Sequence, residues 1–70
     1  MIMRIRELRE EAGLTQVQLA TQMGVKQNSV ATWEKEIALP KARDLPLLAH
    51  ILSVRIDELY RPDALLISQP

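Results

Sequence analysis

The 70 residues include no cysteine, no phenylalanine and only one histidine. Without cysteine the chain has no disulfide and no thiolate metal ligand, which fits a reducing cytoplasm, where we expect the protein to reside. The lone histidine, His50, has no second ligand at a suitable spacing, so we expect no metal and no cofactor. No apolar run is long enough to cross a bilayer, and we expect no membrane contact. With Trp33 and Tyr60 as the only aromatic residues, the core must be largely aliphatic.

The chain also lacks the patterns that catalysis requires. No nucleophile stands with a base, and no glycine-rich loop is present to cradle a phosphate. Asp57 and Glu58 are adjacent, and adjacent residues of a helix point apart. We therefore predict that the protein is not an enzyme and takes no small-molecule ligand. A length of 70 residues predicts one domain with a small core.

Charge is balanced overall but unevenly distributed. Nine Lys and Arg oppose nine Asp and Glu, and a neutral chain argues mildly against nucleic acid as a partner. Residues 1–43 nevertheless contain seven Lys and Arg against five Glu, and residues 44–70 contain two Arg against four acids. A split of this size is as compatible with chance as with a DNA-facing first half.

The stretch from residue 16 to residue 33 combines two short helical patterns that meet at a glycine. Four apolar residues of the first pattern are expected in the core, namely Val17, Leu19, Ala20 and Met23. Thr15 is expected to cap this helix, with Gln18 completing a capping box. Gly24 suits the left-handed residue that ends a helix. The second pattern covers Gln27–Glu34, so the chain predicts a helix-turn-helix unit.

Polar and apolar residues occupy opposite faces of the second helix of this unit. Gln27, Asn28 and Thr32 share one face. Val30 and Trp33 share the other, where packing of the indole in the core is favoured over stacking on a base. An amide side chain can bond adenine at two atoms, and a threonine can touch the methyl group of thymine. The polar face is therefore predicted to read bases in the major groove, although any surface helix has a polar face.

These residues resemble a known family, the DNA-binding domains of the Cro and lambda-type phage repressors, also called the XRE family. The matching segments are Leu14-Thr15-Gln16, Leu19-Ala20, Met23-Gly24-Val25, Ser29-Val30, Trp33-Glu34 and Leu59 after Asp57-Glu58. Each segment alone is weak evidence, whereas their joint spacing over residues 5–60 is specific. The resemblance implies an all-α fold, a compact five-helix lambda-repressor-like DNA-binding domain with the helix-turn-helix at helices 2 and 3.

The resemblance also implies roles for particular residues. In the family, the glutamine that matches Gln16 contacts a DNA phosphate, and basic residues follow the third helix. The expected phosphate contacts are Gln16, Lys26, Ser29, Lys35, Lys41 and Arg43, with a base edge as the alternative partner of Ser29. A glutamate at the position of Glu34 often pairs with an arginine of the first helix, so Arg9 and Glu34 are expected to form a structural ion pair. Lys26 stands where the family usually has a Ser or Thr cap, so the third helix should begin less firmly.

The other elements follow from periodicity, glycine and proline. Helices are predicted over residues 3–12, 45–52 and 56–60, and Gly13 is expected to end the first of them. Asp44 is expected to cap the fourth helix, with Pro46 tolerated in its first turn. Ile56 and Leu59 are expected to close the core. Residues 35–43 have no helical period and are predicted to form a loop.

Several apolar residues have no place in this five-helix pattern. Ile37 and Leu39 of the loop are expected either to contact a partner subunit or to pack on the domain's own core. The run Ala64-Leu65-Leu66-Ile67 lies in a tail, residues 63–70, that follows a DNA-binding domain of residues 1–62. We expect this tail to contact a second subunit, with packing on the first or last helix and disorder as alternatives.

Together these features predict a sequence-specific, double-stranded DNA-binding transcriptional regulator that acts as a repressor. A homodimer on a pseudo-palindromic operator is expected, because one such domain reads only a few base pairs. The alternative is a protein-binding module, such as an antitoxin or an adaptor, which the neutral net charge and the unplaced apolar residues favour.

Overall fold

The structure is a computed structural model, and it describes residues 3–61. In chain order the α-helices are α1 (Ile5–Glu11), α2 (Gln16–Met23), α3 (Gln27–Glu34) and α4 (Leu45–Leu52). Two single-turn 3₁₀ helices, Ala42–Asp44 and Ile56–Leu59, complete this part of the chain. The all-α class is confirmed, but the count of five α-helices is wrong, because the fifth is one 3₁₀ turn. The tail of residues 63–70 lies outside the described residues.

The first helix begins later than predicted because Met3 and Arg4 pair with the backbone of residues 59 and 60. Met3 forms an isolated antiparallel bridge with Tyr60. The amide of Arg4 donates to the carbonyl of Leu59 over 2.7 Å. The start of the described chain is therefore fastened to the end of its last 3₁₀ turn.

All four α-helices end in the same way, with a left-handed residue just past the last turn. These residues are Gly13, Gly24, Glu36 and Ser53, at φ 74°, 72°, 58° and 59°. In each case the next amide bonds to a carbonyl five residues back, as Val25 does with Ala20 over 3.0 Å. The two glycines were predicted to end helices. Glu36 and Ser53 were not, because a non-glycine residue rarely adopts this conformation.

Helix starts differ in how firmly they are capped. The predicted capping box at α2 is confirmed: Gln18 N–H donates to Thr15 Oγ1 over 3.1 Å, and Thr15 N–H donates to Gln18 Oε1 over 2.8 Å. Lys26 provides no side-chain cap for α3. The prediction that Asp44 caps α4 with its side chain is wrong. The 3₁₀ turn before α4 runs directly into the helix, which leaves Asp44 itself in helical geometry.

The core lies between the helix-turn-helix unit, α1 and α4. Its buried apolar residues are Met3, Ile5, Leu8, Leu19, Ala20, Met23, Val30, Trp33, Leu48, Ala49, Leu52 and Leu59. Two core predictions are wrong, since Val17 is 52% exposed and Ile56 is 43% exposed. At about 100° per residue, Leu19, Ala20 and Met23 share one arc of α2, and Val17 lies outside it. The last 3₁₀ turn inserts Leu59 alone.

Candidate nucleic-acid interface

The outer face of α3 carries the amide side chains predicted to read bases. Gln27 and Asn28 are both exposed, and within residues 3–61 neither side chain forms a hydrogen bond. Thr32 is half-buried, and its hydroxyl donates to the carbonyl of Ser29 over 2.8 Å. Val30 and Trp33 are buried on the opposite face, which anchors α3. The helix thus presents to solvent two amides that make no hydrogen bond within residues 3–61, while the threonine hydroxyl is already bonded.

Eight of the nine Lys and Arg side chains among residues 3–61 fall into two groups. Four are in ion pairs with nearby carboxylates, namely Arg4–Glu7, Arg6–Glu10, Arg9–Glu34 and Arg55–Glu58. Within residues 3–61, four cations make no ion pair, namely Lys26, Lys35, Lys41 and Arg43. All four are exposed and flank α3 or follow it along the chain. The uncompensated positive charge is therefore concentrated around α3.

Two clefts flank α3. The first, of about 400 Å³, is lined by Met23, Gly24, Val25, Ser29, Trp33, Leu39, Lys41, Arg43 and Asp44. The second, of about 370 Å³, is lined by Arg6, Arg9, Gln16, Ala31, Glu34 and Lys35. Ser29 of the first cleft and Ala31 of the second are roughly 200° apart around the helix axis. The clefts thus lie on opposite sides of α3.

Five of the six predicted phosphate contacts line one of these clefts. Ser29, Lys41 and Arg43 share the first. Gln16 and Lys35 share the second. The sixth, Lys26, lines neither and stands at the start of α3. The structure therefore brings these residues to the two flanks of the helix that carries the amides, with the carboxylate of Asp44 as an opposing charge in the first cleft.

The ion pair between Arg9 and Glu34 is present and largely enclosed. Arg9 Nε donates to Glu34 Oε2 over 2.6 Å, and Arg9 Nη2 donates to Glu34 Oε1 over 3.2 Å. The side chains are only 11% and 6% exposed. The hydrogen bond to Glu34 raises the pKa of Arg9 above its ordinary value. This pair joins α1 to the end of α3, so it sets the position of the helix that carries the amides.

Gln16 and Leu14 belong to the same network. Arg9 Nη1 donates to the carbonyl of Leu14 over 2.8 Å. Gln16 Nε2 donates to Glu34 Oε1 over 3.1 Å. One of the two amide hydrogens of Gln16 is thereby used inside the protein, which holds the side chain in place and leaves the other hydrogen for a phosphate.

The contact between Glu36 and Met3 was not predicted from the sequence. Met3 N–H donates to Glu36 Oε1 over 3.1 Å. The two residues are 33 positions apart, and no local pattern signals such a pair. Pro40, which is buried, was also unforeseen within the loop.

Residues 3–61 show neither a metal site nor a membrane-spanning helix. This part of the chain contains no group of three or more His, Cys, Asp and Glu side chains placed to hold a metal ion, and His50 is exposed. None of its helices has both the length and the apolar character that crossing a bilayer requires.

The fold and the polar outer face of α3 define a helix-turn-helix domain, and comparison with known proteins gives its family. A sequence model described as helix-turn-helix matches residues 5–59, which include α2, α3 and all the residues that line the two clefts. The chain belongs to this XRE-type helix-turn-helix family, whose members are DNA-binding transcriptional regulators and not enzymes.

The alignments with individual relatives cover different shares of the relatives' own lengths. The chain is 35% identical over 57 residues to an uncharacterized HTH-type transcriptional regulator of Archaeoglobus fulgidus. This alignment covers 81% of each of the two chains. It is 33% identical over 63 residues to the HTH-type transcriptional activator BcrR of Enterococcus faecalis, which covers 90% of this chain. The chain spans only 31% of the length of BcrR.

A solved structure shares the fold. The crystal structure of the hypothetical transcription factor NHTF from Neisseria matches with a TM-score of 0.75 at 23% identity. The match covers 94% of this chain and 78% of that chain. At this identity the similarity concerns the fold alone.

Proposed function

We propose that the protein binds double-stranded DNA sequence-specifically, as a homodimer, and represses transcription by occupying a pseudo-palindromic operator. A cytoplasmic location is part of this proposal. The observation that carries it is the arrangement around α3, where two exposed amides lie between two clefts that contain unpaired cations. A helix in the major groove has one phosphate backbone on each side, and this arrangement supplies a polar tip with a basic flank on each side.

The phosphate contacts follow from the two clefts. Gln16 and Lys35 would hold one strand, and Ser29, Lys41 and Arg43 the other, with Lys26 adding a charge at the helix start. A protein that neutralises Z phosphates loses affinity with salt at a slope of about −0.9Z. The four unpaired cations therefore predict a slope of about −3.6 for each subunit, or about −7 for a dimer.

Base reading falls to Gln27 and Asn28, because both side chains are exposed and make no hydrogen bond within the described chain. Each can bond adenine at N6 and N7. Thr32 would contribute differently from the two amides. With its hydroxyl bonded to Ser29, the group that remains for a base is its methyl, which suits the methyl of thymine.

Ile37 is the residue we assign to the subunit interface. It is 74% exposed, so it does not pack on the domain's own core. Leu39 is also exposed but lines the first cleft beside α3. A symmetric dimer would place the two α3 helices on half-sites about 34–36 Å apart. Sedimentation equilibrium of Ile37→Ser should show a weakened dimer, with Leu47→Ser, an exposed leucine of α4, as the matched control.

The direction of regulation has a second candidate. The relative from Enterococcus faecalis is named an activator, and it is much longer than this chain. A reporter gene placed behind an operator that the protein selects from random duplexes distinguishes repression from activation. Reduced expression when the protein is present supports repression, and increased expression supports activation.

A binding measurement tests the proposed function itself. Duplexes selected from a random library by the wild-type protein should contain a pseudo-palindrome. Lys41→Ala should weaken binding to every duplex by a similar factor and make the salt slope shallower by about 1 per subunit. Arg55→Ala is the matched control, because Arg55 is exposed but paired with Glu58 and lines neither cleft. Selection of no common sequence, together with capture of a protein partner by the same surface, would favour a protein-binding module instead.

A further inference from the structure

We infer that Glu36 is a positioning residue, which ties the segment after α3 to the start of the chain and so holds Lys35 and Ile37 in place for DNA and dimer contacts. This inference rests on the proposed function.

The first observation is the backbone conformation of Glu36. At φ 58° it is left-handed, in a position where α1 and α2 have Gly13 and Gly24. Glu36 N–H donates to the carbonyl of Trp33 over 3.1 Å, and Ile37 N–H donates to that of Thr32 over 3.0 Å. A glycine would make both bonds without strain. A glutamate there is disfavoured by its Cβ, which points to a function of its side chain.

The second observation is what that side chain does. Glu36 Oε1 accepts the N–H of Met3 over 3.1 Å. Met3 is buried and bridges to Tyr60, and the next amide, that of Arg4, donates to Leu59. The start of the chain is thus anchored to the last 3₁₀ turn, independently of α3. The carboxylate of Glu36 connects this anchor to the end of α3.

The third observation concerns the neighbours of Glu36. Lys35, directly before it, is unpaired within residues 3–61 and lines the second cleft. Ile37, directly after it, is the exposed residue assigned to the dimer. A tether at residue 36 therefore restricts both flanking residues at once. When these residues are ordered before binding, the complex forms with a smaller loss of conformational entropy.

Two substitutions of Glu36 distinguish the effect of its side-chain hydrogen bond to Met3 from the effect of its left-handed backbone. Glu36→Gly removes the carboxylate and also relieves the left-handed backbone, so its melting temperature should stay close to that of the wild type. Its affinity for the selected operator should fall about tenfold, because the side chains of Lys35 and Ile37 must then be ordered during binding. Glu36→Gln keeps an acceptor at the same length and should bind within about twofold of the wild type.

Ser53→Gly is the matched control, because Ser53 also has a left-handed backbone but lies at the end of α4. It should leave the affinity for DNA unchanged. Full affinity in Glu36→Gly would overturn the inference. Equal weakening in Glu36→Gln and Glu36→Gly would also overturn it, since the acceptor would then be irrelevant.

Amide hydrogen exchange measured without DNA tests the role of Glu36 independently of the proposed function. A wild-type protein that binds no duplex would defeat the proposed function, whereas exchange at Met3 and residues 35–37 still reports on the tether. Faster exchange at these amides in Glu36→Gly, restored in Glu36→Gln, supports the inference. Unchanged exchange in Glu36→Gly would overturn it.

Discussion

Replacing Arg9 by methionine tests the network that holds α1 against the end of α3. The guanidinium makes two bonds to Glu34 and one to the carbonyl of Leu14. Methionine retains much of the apolar stem but offers no donor. The carboxylate of Glu34, in a side chain 6% exposed, would then keep only the bond from Gln16 among those the network makes.

The expected loss is large relative to the stability of so small a domain. Removing one partner of a buried ion pair costs about 3–5 kcal/mol, because the other charge is left buried without compensation. A chain of this length has a free energy of unfolding of about 3.5–10 kcal/mol. Arg9→Met should therefore lower the melting temperature by at least about 12 °C, at about 4 °C for each kcal/mol.

Urea denaturation followed by circular dichroism measures the loss of free energy of unfolding, and a thermal scan measures the shift in melting temperature. Arg6→Met is the matched control, because the ion pair of Arg6 with Glu10 is long, at 3.8 Å, and exposed. Its loss should cost less than about 1 kcal/mol. The double variant of Arg9→Met with Glu34→Leu should be more stable than the sum of the single effects predicts. The reasoning is refuted if Arg9→Met is no more destabilising than Arg6→Met.

Three further predictions concern helix ends. Gly24→Ala should lower the free energy of unfolding by about 1–2 kcal/mol through backbone strain alone, since the space around an added Cβ is open; an unchanged urea midpoint would contradict this. Thr15→Ala should cost about 1 kcal/mol by loss of the α2 cap, and Thr15→Ser should retain most of it; equal losses in both variants would argue against the cap. Ser53→Gly should raise the free energy of unfolding by up to about 1 kcal/mol, and a lowered urea midpoint would count against the left-handed geometry.

Local signals account for the parts of the fold that the sequence predicted well. The bounds Gln27–Glu34 and the burial of Val30 and Trp33 follow from a 3.6-residue period within eight residues. The α2 cap at Thr15 and the turn at Gly24 each depend on one or two residues. Such features can be predicted because their physical causes lie within one helical turn.

Errors arose where burial depends on the neighbouring elements. Val17 is apolar and lies beside the core stripe, yet no element covers its side of α2. Ile56 stands one 3₁₀ turn before Leu59, and only Leu59 reaches the core. The hydrogen bond between Met3 and Glu36 joins positions far apart in the chain, so no periodicity reveals it.

The candidate site likewise has some features that the sequence predicts and others that depend on the fold. The residue types of α3 indicated which side chains face outward. The distribution of the cations between paired and unpaired states depends on the fold, because Arg9 meets Glu34 only when α1 packs on α3. The path of residues 35–43 likewise decides that Lys41 and Arg43 line the cleft next to Ser29.

The central claim is that the exposed amides of α3 read bases. Its most direct test is the affinity of the wild type and of Gln27→Ala for the selected operator and for every single-base-pair variant of it. The wild type should discriminate by about 1–3 kcal/mol at each contacted base pair, and Gln27→Ala should lose that discrimination at one base pair in each half-site while keeping the rest. An identical base preference at every position in both proteins would contradict the claim.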